Sequence, residues 1–299
     1  MKSISTFNTL RYTALTVAAV ALPVGFAAAD APVEAAAPAV VSTIEVLPAS
    51  DVNWTPLNPA RGDASPQAAD LWGDRSVDGA TGFLVKFKDG FSSPPHIHNV
   101  TYRGVVISGL VHNDDPDAEP MWMPAGSFWT QPAGESHITS AKGDENVAYI
   151  EIQAGPYLVQ PADEAFDNGE RPVNVSAANL VWLGAEELSR IDDGTGEDGA
   201  EIAFLWGDPS GDQPSGAMVK LPAGFAGVLQ GNASWLRAVV VRGTVTHATA
   251  PDAGTHSLAP GSYFGAEGGT SHHLSADTDT LLYVRTSGRF ELMAHSASE

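Results

Sequence analysis

The sequence predicts an all-β protein made of two tandem double-stranded β-helix domains, an architecture also called the jelly roll. The first reason is that short runs rich in β-branched and aromatic residues alternate with turns of Gly, Pro and Asp. The second is an internal repeat, because the Leu-Trp-Gly-Asp sequence at 71–74 returns at 205–208. A chain of 299 residues, 43% of them hydrophobic, is long enough to give each copy its own core.

The repeat extends through most of the chain and predicts the domain boundaries. The matching residues, which drift by one position after the middle, are Lys86 and Lys220, Gly90 and Gly224, Arg103 and Arg237, Gly109 and Gly243, Gly126 and Gly261, Gly134 and Gly269, and His137 and His272. We therefore expect a first domain over 41–160 and a second over 173–293, joined by a polar surface linker. Within the second domain, residues 185–191 favour a short helix.

The N-terminal segment over 1–40 predicts export rather than folded structure. A basic start and an apolar stretch precede three alanines at 27–29, which is the pattern of a signal peptide over 1–29. The alternative is a membrane anchor, but the apolar stretch is short and is interrupted by Pro23. We expect cleavage after Ala29, a flexible Ala/Pro linker over 30–40, and a periplasmic or secreted mature protein that does not enter a membrane.

Charge and cysteine content exclude several functions. The formal net charge is −21 at pH 7, which argues against binding to nucleic acid or to anionic membrane surfaces. The chain contains no cysteine, which excludes thiolate catalysis and a disulfide scaffold. Any metal must therefore be held by nitrogen and oxygen ligands.

Three histidines of the first domain form the strongest functional signal. His96 and His98 lie two positions apart in a predicted strand, so both side chains point to the same face. His137 follows a Pro-x-Gly turn sequence, after which a neighbouring strand can return it to the pair. Three convergent imidazoles with coordination positions left open suit one divalent transition metal, and iron, manganese and zinc all remain open.

These residues resemble the two-part signature of the cupin superfamily, G-x5-H-x-H-x3,4-E-x6-G followed by G-x5-P-x-G-x2-H-x3-N. The residues that match it are Gly90, His96, His98, Gly109, Gly126, Pro132, Gly134 and His137. Two positions depart, since Tyr102 replaces the family's metal-binding Glu and Ala141 its terminal Asn. The Pro-Pro-His-x-His run further resembles the branch with acetylacetone dioxygenase and the zinc-binding cupin domains of anti-sigma factors. The resemblance implies a cupin fold, within which activities are diverse.

Other residues are candidates for the same site. Tyr102 is interpreted first as a hydrogen-bond donor to a metal-bound water or substrate, with ligation as a phenolate and simple packing as alternatives. Glu151 is a candidate to complete the coordination from another strand. Because a three-histidine site keeps the full charge of its metal, we expect an anionic or chelating ligand. His112, in a turn-like Asn-Asp-Asp context, is expected to be exposed.

The second domain has lost most of these residues. In place of the His-x-His pair and Tyr102 it has Gln230, Asn232 and Leu236, and it keeps only His272. Amides are weak ligands for transition metals, so we expect a degenerate pocket or a structural partner domain. A rival site made of His272, His273 and Glu267 is disfavoured, because adjacent residues of a strand point to opposite faces.

The function predicted from these observations is that of an exported metal-binding bicupin. Its leading interpretation is a metal-dependent oxygenase that acts on a small chelating organic substrate at the three-histidine centre of the first barrel. The alternatives are a non-catalytic zinc-binding module for ligand capture or sensing, a metal-assisted hydrolase or isomerase, and a purely structural metal. The expected partner is a small molecule, and a homodimer is left open.

Overall fold

The computed structural model describes residues 43–192, 199–251 and 253–295. The predicted signal peptide over 1–29 and the linker over 30–40 lie outside the described residues. The described residues form 22 β-strands with four short 3-10 helices, which confirms the all-β prediction. Within these ranges no helix is long and apolar enough to cross a bilayer.

The first repeat contributes ten strands and the second repeat twelve. The first ten are β1 (Ile44–Leu47), β2 (Thr55–Pro56), β3 (Gln67–Trp72), β4 (Thr81–Phe87), β5 (His96–His98), β6 (Tyr102–Asp114), β7 (Met123–Pro124), β8 (Phe128–Gln131), β9 (Ile138–Ile152) and β10 (Val159–Pro161). The others are β11 (Val173–Val175), β12 (Ile191–Asp192), β13 (Glu201–Trp206), β14 (Ser215–Leu221), β15 (Phe225–Gly231), β16 (Trp235–Arg242), β17 (Val245–Ala248), β18 (His256–Leu258), β19 (Tyr263–Glu267), β20 (Ser271–Ala276), β21 (Thr280–Thr286) and β22 (Phe290–Ala294). The 3-10 helices are Ala49–Asp51, Pro59–Ala64, Ala162–Glu164 and Ala177–Asn179.

Each repeat folds into a double-sheet barrel. In the first, one sheet has the order β11-β8-β6-β9-β4-β3-β2, with β7 on β6, and a second small sheet pairs β10 with β5. In the second, the two sheets have the orders β12-β22-β15-β20-β17-β18 and β1-β19-β16-β21-β14-β13. Neighbouring strands are antiparallel except for the parallel pair β12 and β22. The prediction of two tandem jelly-roll domains is thereby confirmed.

The two barrels exchange one strand each. β1, from the start of the first repeat, pairs with β19 in the second barrel, where Leu47 lies opposite Tyr263. β11, from the start of the second repeat, pairs with β8 in the first barrel, where Val175 lies opposite Phe128. The boundaries at 41–160 and 173–293 stay a prediction, and the exchange means that each barrel borrows an edge strand from the other.

A third core lies between the barrels and has approximate twofold symmetry. The indole Nε1 of Trp72 donates a hydrogen bond to the hydroxyl of Tyr149 at 3.1 Å. In the second repeat, the indole Nε1 of Trp206 donates in the same way to the hydroxyl of Tyr283 at 2.9 Å. The ring centroids of the two tyrosines lie 5.5 Å apart. Arginine side chains from each repeat cover the other repeat's tryptophan, Arg103 over Trp206 at 3.9 Å and Arg237 over Trp72 at 4.5 Å. The face that each barrel would otherwise expose is therefore covered within one chain.

The helix predicted over 185–191 is wrong. This segment forms hydrogen-bonded turns, in which the amide of Leu188 donates to the carbonyl of Gly184 at 2.9 Å. Its end is drawn into strand β12, whose Ile191 lies opposite Leu292, and the carbonyl of Arg190 accepts from Leu292 at 2.8 Å. Pairing with β22 thus overrides a local helical preference that is weak over so few residues.

Candidate metal centre

The three predicted histidines converge at one end of the first barrel. His96 and His98 lie at the two ends of β5, with their side chains on one face, while Ile97 between them is buried in the other direction. His137 immediately precedes β9 and forms an isolated bridge opposite His96, with the two backbone hydrogen bonds between them both 3.0 Å long. Each histidine offers a ring nitrogen that lies within 4.8 Å of those of the other two.

Backbone carbonyls orient all three rings. The Nδ1 atoms of His96, His98 and His137 lie 2.9 Å, 2.8 Å and 3.0 Å from the carbonyl oxygens of Pro94, Leu158 and Glu135. A carbonyl accepts only from an N–H, so each Nδ1 carries its proton and each Nε2 is unprotonated. The same arrangement fixes the ring orientation and tautomer of histidines that bind metals.

Burial keeps these imidazoles neutral. It lowers the pKa of His137 to about 3, with a further lowering by the neighbouring His96. The pKa of His98 is held well below its ordinary value, first by burial and then by the two other histidines. Burial also lowers the pKa of His96, which is only partly covered. Neutral imidazole is the form that binds a metal, so the site is ready for ligation at neutral pH.

Tyr102 lies beside the histidines, as its position in the signature predicts. Its buried hydroxyl donates to the side-chain oxygen of Asn113 at 2.8 Å and lies 3.3 Å from Nε2 of His137. Burial raises its pKa above the ordinary value of a phenol, so the hydroxyl keeps its proton in the absence of a metal. Asn113 is itself held by hydrogen bonds from Thr139 and to Gln131. Whether Tyr102 also ligates stays a prediction.

Two residues of this region were missed or misplaced by sequence reasoning. Tyr157 stacks on His98, with ring centroids 4.3 Å apart and an angle of 22°, and its hydroxyl lies 3.1 Å from the Nε2 atom of that histidine. No motif precedes it, and it is placed by the pairing of the following strand β10 with β5 and by a hydrogen bond from its amide to the carbonyl of Arg75 at 2.9 Å. The predicted exposure of His112 is wrong, because β6 continues through the expected turn and leaves this residue 2% exposed.

Glu151 does not belong to the site. It is buried between the two barrels, where it accepts hydrogen bonds from the hydroxyls of Tyr149 at 3.1 Å and Tyr283 at 2.8 Å. The reason is strand parity, since Ile150 on β9 lines the metal-site cavity and its neighbour therefore faces the other way. The histidines are thus left without this carboxylate.

A small cavity of about 90 Å³ leads to the histidines. The residues that line it are Leu57, Asn58, Arg61, Pro66, Val85, Phe87, Phe91, Ser93, Pro94, His96, His98, Tyr102, Trp129, Thr139, Ile150, Tyr157 and Val159. A larger open depression of about 620 Å³ lies on the second barrel around Trp182, but no histidine lines it among the described residues, and its wall includes the ion pair of Lys220 with Glu201. The cavity at the three histidines is therefore the better candidate for chemistry.

The second barrel keeps no comparable group among its described residues. His272 is fully buried, and its Nδ1 lies 2.9 Å from Nε2 of His247, a residue of β17 that packs where the first barrel has Asn113. His273 points to the other face and Glu267 is exposed, so the rival site is not assembled. Within the described ranges, the only set of three or more close metal-ligating side chains is the one in the first barrel.

The double barrel and the three-histidine group are those of a two-domain cupin fold, and the predicted cupin fold is confirmed. The chain belongs to the family described as Domain of unknown function (DUF4437), whose model matches residues 45–293. A comparison with curated proteins finds no match. The narrower resemblance to acetylacetone dioxygenase and anti-sigma-factor cupins stays a prediction.

Solved structures with the same fold are only distantly related in sequence. A candidate dioxygenase from Nostoc punctiforme is 14% identical, with a TM-score of 0.55 over 87% of this chain and 85% of that one. A Lactobacillus farciminis oxalate decarboxylase, solved as a formate complex, is 12% identical, with a TM-score of 0.54 over 84% and 88% of the two chains. AerE from Microcystis aeruginosa is 12% identical, with a TM-score of 0.52 over 81% and 97%. Likeness at this level shows the fold alone.

Proposed function

We propose that this protein is an exported metal-dependent oxygenase that acts on a small, chelating, anionic organic substrate. His96, His98 and His137 are its metal ligands. The observation that carries the proposal is that three neutral imidazoles, each with Nδ1 held by a carbonyl, direct their remaining nitrogens to one point beside an apolar cavity. A candidate dioxygenase and an oxalate decarboxylase share the fold and support this class of chemistry.

The donor set fits one divalent first-row metal. Three imidazole nitrogens suit iron, manganese or zinc, and they leave positions open for water or substrate. Since the three ligands are neutral, the full charge of the ion acts on whatever enters the cavity. This favours a substrate with an anionic or chelating oxygen pair.

The chain's own residues position and shield such a substrate. When bound, the metal supplies Lewis acidity and, if it is iron or manganese, the capacity for oxygen chemistry. The hydroxyls of Tyr157 and Tyr102 lie 3.1 Å and 3.3 Å from the ligating nitrogens of two histidines. Burial raises the pKa of both phenols, so both stay protonated. Tyr102 donates its proton to Asn113, and Tyr157 is the hydrogen-bond donor for a substrate oxygen. Phe87 and Phe91 line the cavity and exclude water.

A zinc-binding module for ligand capture or sensing is the second candidate. The observation that favours it is the small size of the cavity, about 90 Å³, whose wall includes Tyr157 stacked on His98. A hydrolase or isomerase is less well supported, because the described residues of the cavity wall include no carboxylate to act as a general base.

Metal analysis separates these functions. The metal content of mature protein is compared with that of a His96→Ala/His98→Ala variant by inductively coupled plasma mass spectrometry. The intact mass of the mature protein also tests cleavage after Ala29. We expect about one equivalent of iron or manganese in the wild type and none in the variant, together with oxygen consumption on 1,3-diketones or 2-oxo acids. Tightly held zinc without turnover supports the second candidate. Wild-type protein that binds no metal even after reconstitution refutes the proposal.

A further inference from the structure

The cavity at the three histidines has an unusual charge for this protein. The chain has 36 acidic and 15 basic residues, yet the described residues that line the cavity include no Asp or Glu and one arginine, Arg61. Most of the remaining wall is apolar. A charge beside low-dielectric walls focuses its field into the cleft and raises the local concentration of the opposite charge. The cavity therefore attracts an anion on a surface that otherwise repels one.

The guanidinium of Arg61 is free to take an external partner. Among the described residues it has no hydrogen-bond or ion-pair acceptor, whereas Arg75, Arg171, Arg237 and Arg289 each have an acidic partner within 3.4 Å. Arg61 lines the same small cavity as His96 and His98, so its charge lies near the metal site.

The backbone that carries Arg61 is held in place. The side chain of Asn58 accepts from the amide of Ala60 at 3.1 Å, and its carbonyl accepts from the amide of Arg61 at 3.0 Å. The chain then reverses at Gly62, whose φ of 54° and ψ of −132° suit glycine, and Lys88 donates to the carbonyl of Asp63 at 2.7 Å. The backbone under the guanidinium therefore needs no ordering when a ligand binds, and the entropy lost is that of the side chain.

We propose that Arg61 recognises the carboxylate of the substrate, and that the substrate is a small organic acid with a second oxygen adjacent to that carboxylate. The planar guanidinium pairs with the carboxylate through parallel hydrogen bonds, and the adjacent second oxygen faces the histidines. The apolar body lies against Leu57, Phe87 and Phe91, which line the same cavity. This inference rests on the proposed function for the metal, but the role of Arg61 in binding is testable without a metal.

The test compares a 2-oxo acid with a neutral molecule of the same shape. 2-Oxobutyrate and 2,3-pentanedione share the dicarbonyl unit and differ in carrying a carboxylate or an acetyl group. Their affinities are measured by isothermal titration calorimetry on wild-type protein, Arg61→Gln and Arg61→Lys, each with and without metal. Arg171→Gln, which removes an exposed arginine that is paired with Asp167, is the matched control for net charge.

We expect wild-type protein to prefer the acid over the dione. Arg61→Gln should weaken binding of the acid about 10- to 100-fold, the range for hydrogen bonds between charged groups, and should leave binding of the dione unchanged. Arg61→Lys should recover only part of the affinity, because a lysine cannot pair bidentately. Arg171→Gln should behave as the wild type. Since Arg61 is exposed, the variants should fold normally, which circular dichroism checks.

Two results would overturn the inference. One is that wild-type protein binds the acid no more tightly than the dione, and the other is that Arg61→Gln retains the full preference. If iron or manganese is bound and oxygen is consumed when either occurs, the proposed oxygenase function still stands. If no metal binds but the preference depends on Arg61, the metal proposal fails and the inference about Arg61 holds.

Discussion

Glu151 and Arg285 occupy equivalent positions in the two repeats and are 1% and 2% exposed in the core between the barrels. The guanidinium Nε lies 3.8 Å from the carboxylate, which is long for a direct hydrogen bond. The stronger contacts of the carboxylate are the hydroxyls of Tyr149 and Tyr283 at 3.1 Å and 2.8 Å. Replacing Glu151 thus removes both tyrosines' acceptor and leaves a buried arginine without a counter-charge.

We expect Glu151→Met to lower the free energy of unfolding by about 3–5 kcal/mol, the usual cost of breaking a buried ion pair. Two hydrogen bonds to a charged acceptor, at about 1.5–3 kcal/mol each, lead to a similar figure. Glu151→Gln keeps an acceptor and should cost less. The Glu151→Met/Arg285→Met double variant should also be more stable than Glu151→Met, because the unpaired charge is gone.

Equilibrium urea unfolding, followed by tryptophan fluorescence and circular dichroism, measures these differences. Glu119→Ala removes an exposed carboxylate and is the control for net charge. Because each barrel borrows a strand from the other, the wild type should unfold in one transition by both probes. A loss below about 1 kcal/mol for Glu151→Met, within the range of an exposed pair, would refute the reasoning. A double variant less stable than Glu151→Met would do so as well.

Two further predictions concern single side chains. Tyr102→Phe removes the hydroxyl that donates a hydrogen bond to Asn113. The free energy of unfolding, measured in a thermal or urea melt, should therefore fall by about 1–2 kcal/mol while the metal content stays unchanged. Loss of the metal would show that the phenol is a ligand. Burial lowers the pKa of His272 to about 3 and that of His247 to about 4, so below their unfolded value of 6.5 the unfolded chain binds more protons than the folded one. The urea midpoint of the metal-free protein should therefore fall as pH drops from about 6.5 towards 4. His247→Asn should make the urea midpoint depend less on pH, and an unchanged dependence would contradict the assignment.

The histidines could be predicted from the sequence because their geometry is local. His96 and His98 lie two positions apart on one strand and therefore share a face. The Pro-x-Gly turn before His137 needs a φ of 78° at Gly134, where a side chain would collide with Phe166. Tyr157 was beyond prediction because its contact with His98 depends on the pairing of β10 with β5, which are far apart along the chain. Long-range pairing of this kind has no signature in spacing.

The placement of Glu151 needed the same non-local knowledge. The last seven residues of its strand, β9, are all buried, so which face meets the other barrel depends on how the two repeats pack. The exchange of β1 and β11 is likewise invisible in a repeat pattern, because the pattern shows that two segments are alike and not where each one pairs. Composition and periodicity therefore predicted the barrels, and the contacts between them had to be observed.

These contacts explain how the second barrel can lack a metal site and still be necessary. β11 from the second repeat pairs with β8, and β8 pairs with β6, the strand that begins at Tyr102 and carries Asn113. Without β11, the edge of the sheet behind the metal site would expose unpaired backbone groups, which invites misassembly. Trp206 and Arg237, which contact the first barrel, lie on the face of the second barrel opposite to its former ligand positions. Those ligand positions can therefore change without disturbing the contact between the barrels. The first barrel therefore depends on the second for an edge strand and a packing face, and a fragment that ends at 160 should lose its fold and with it the three-histidine site.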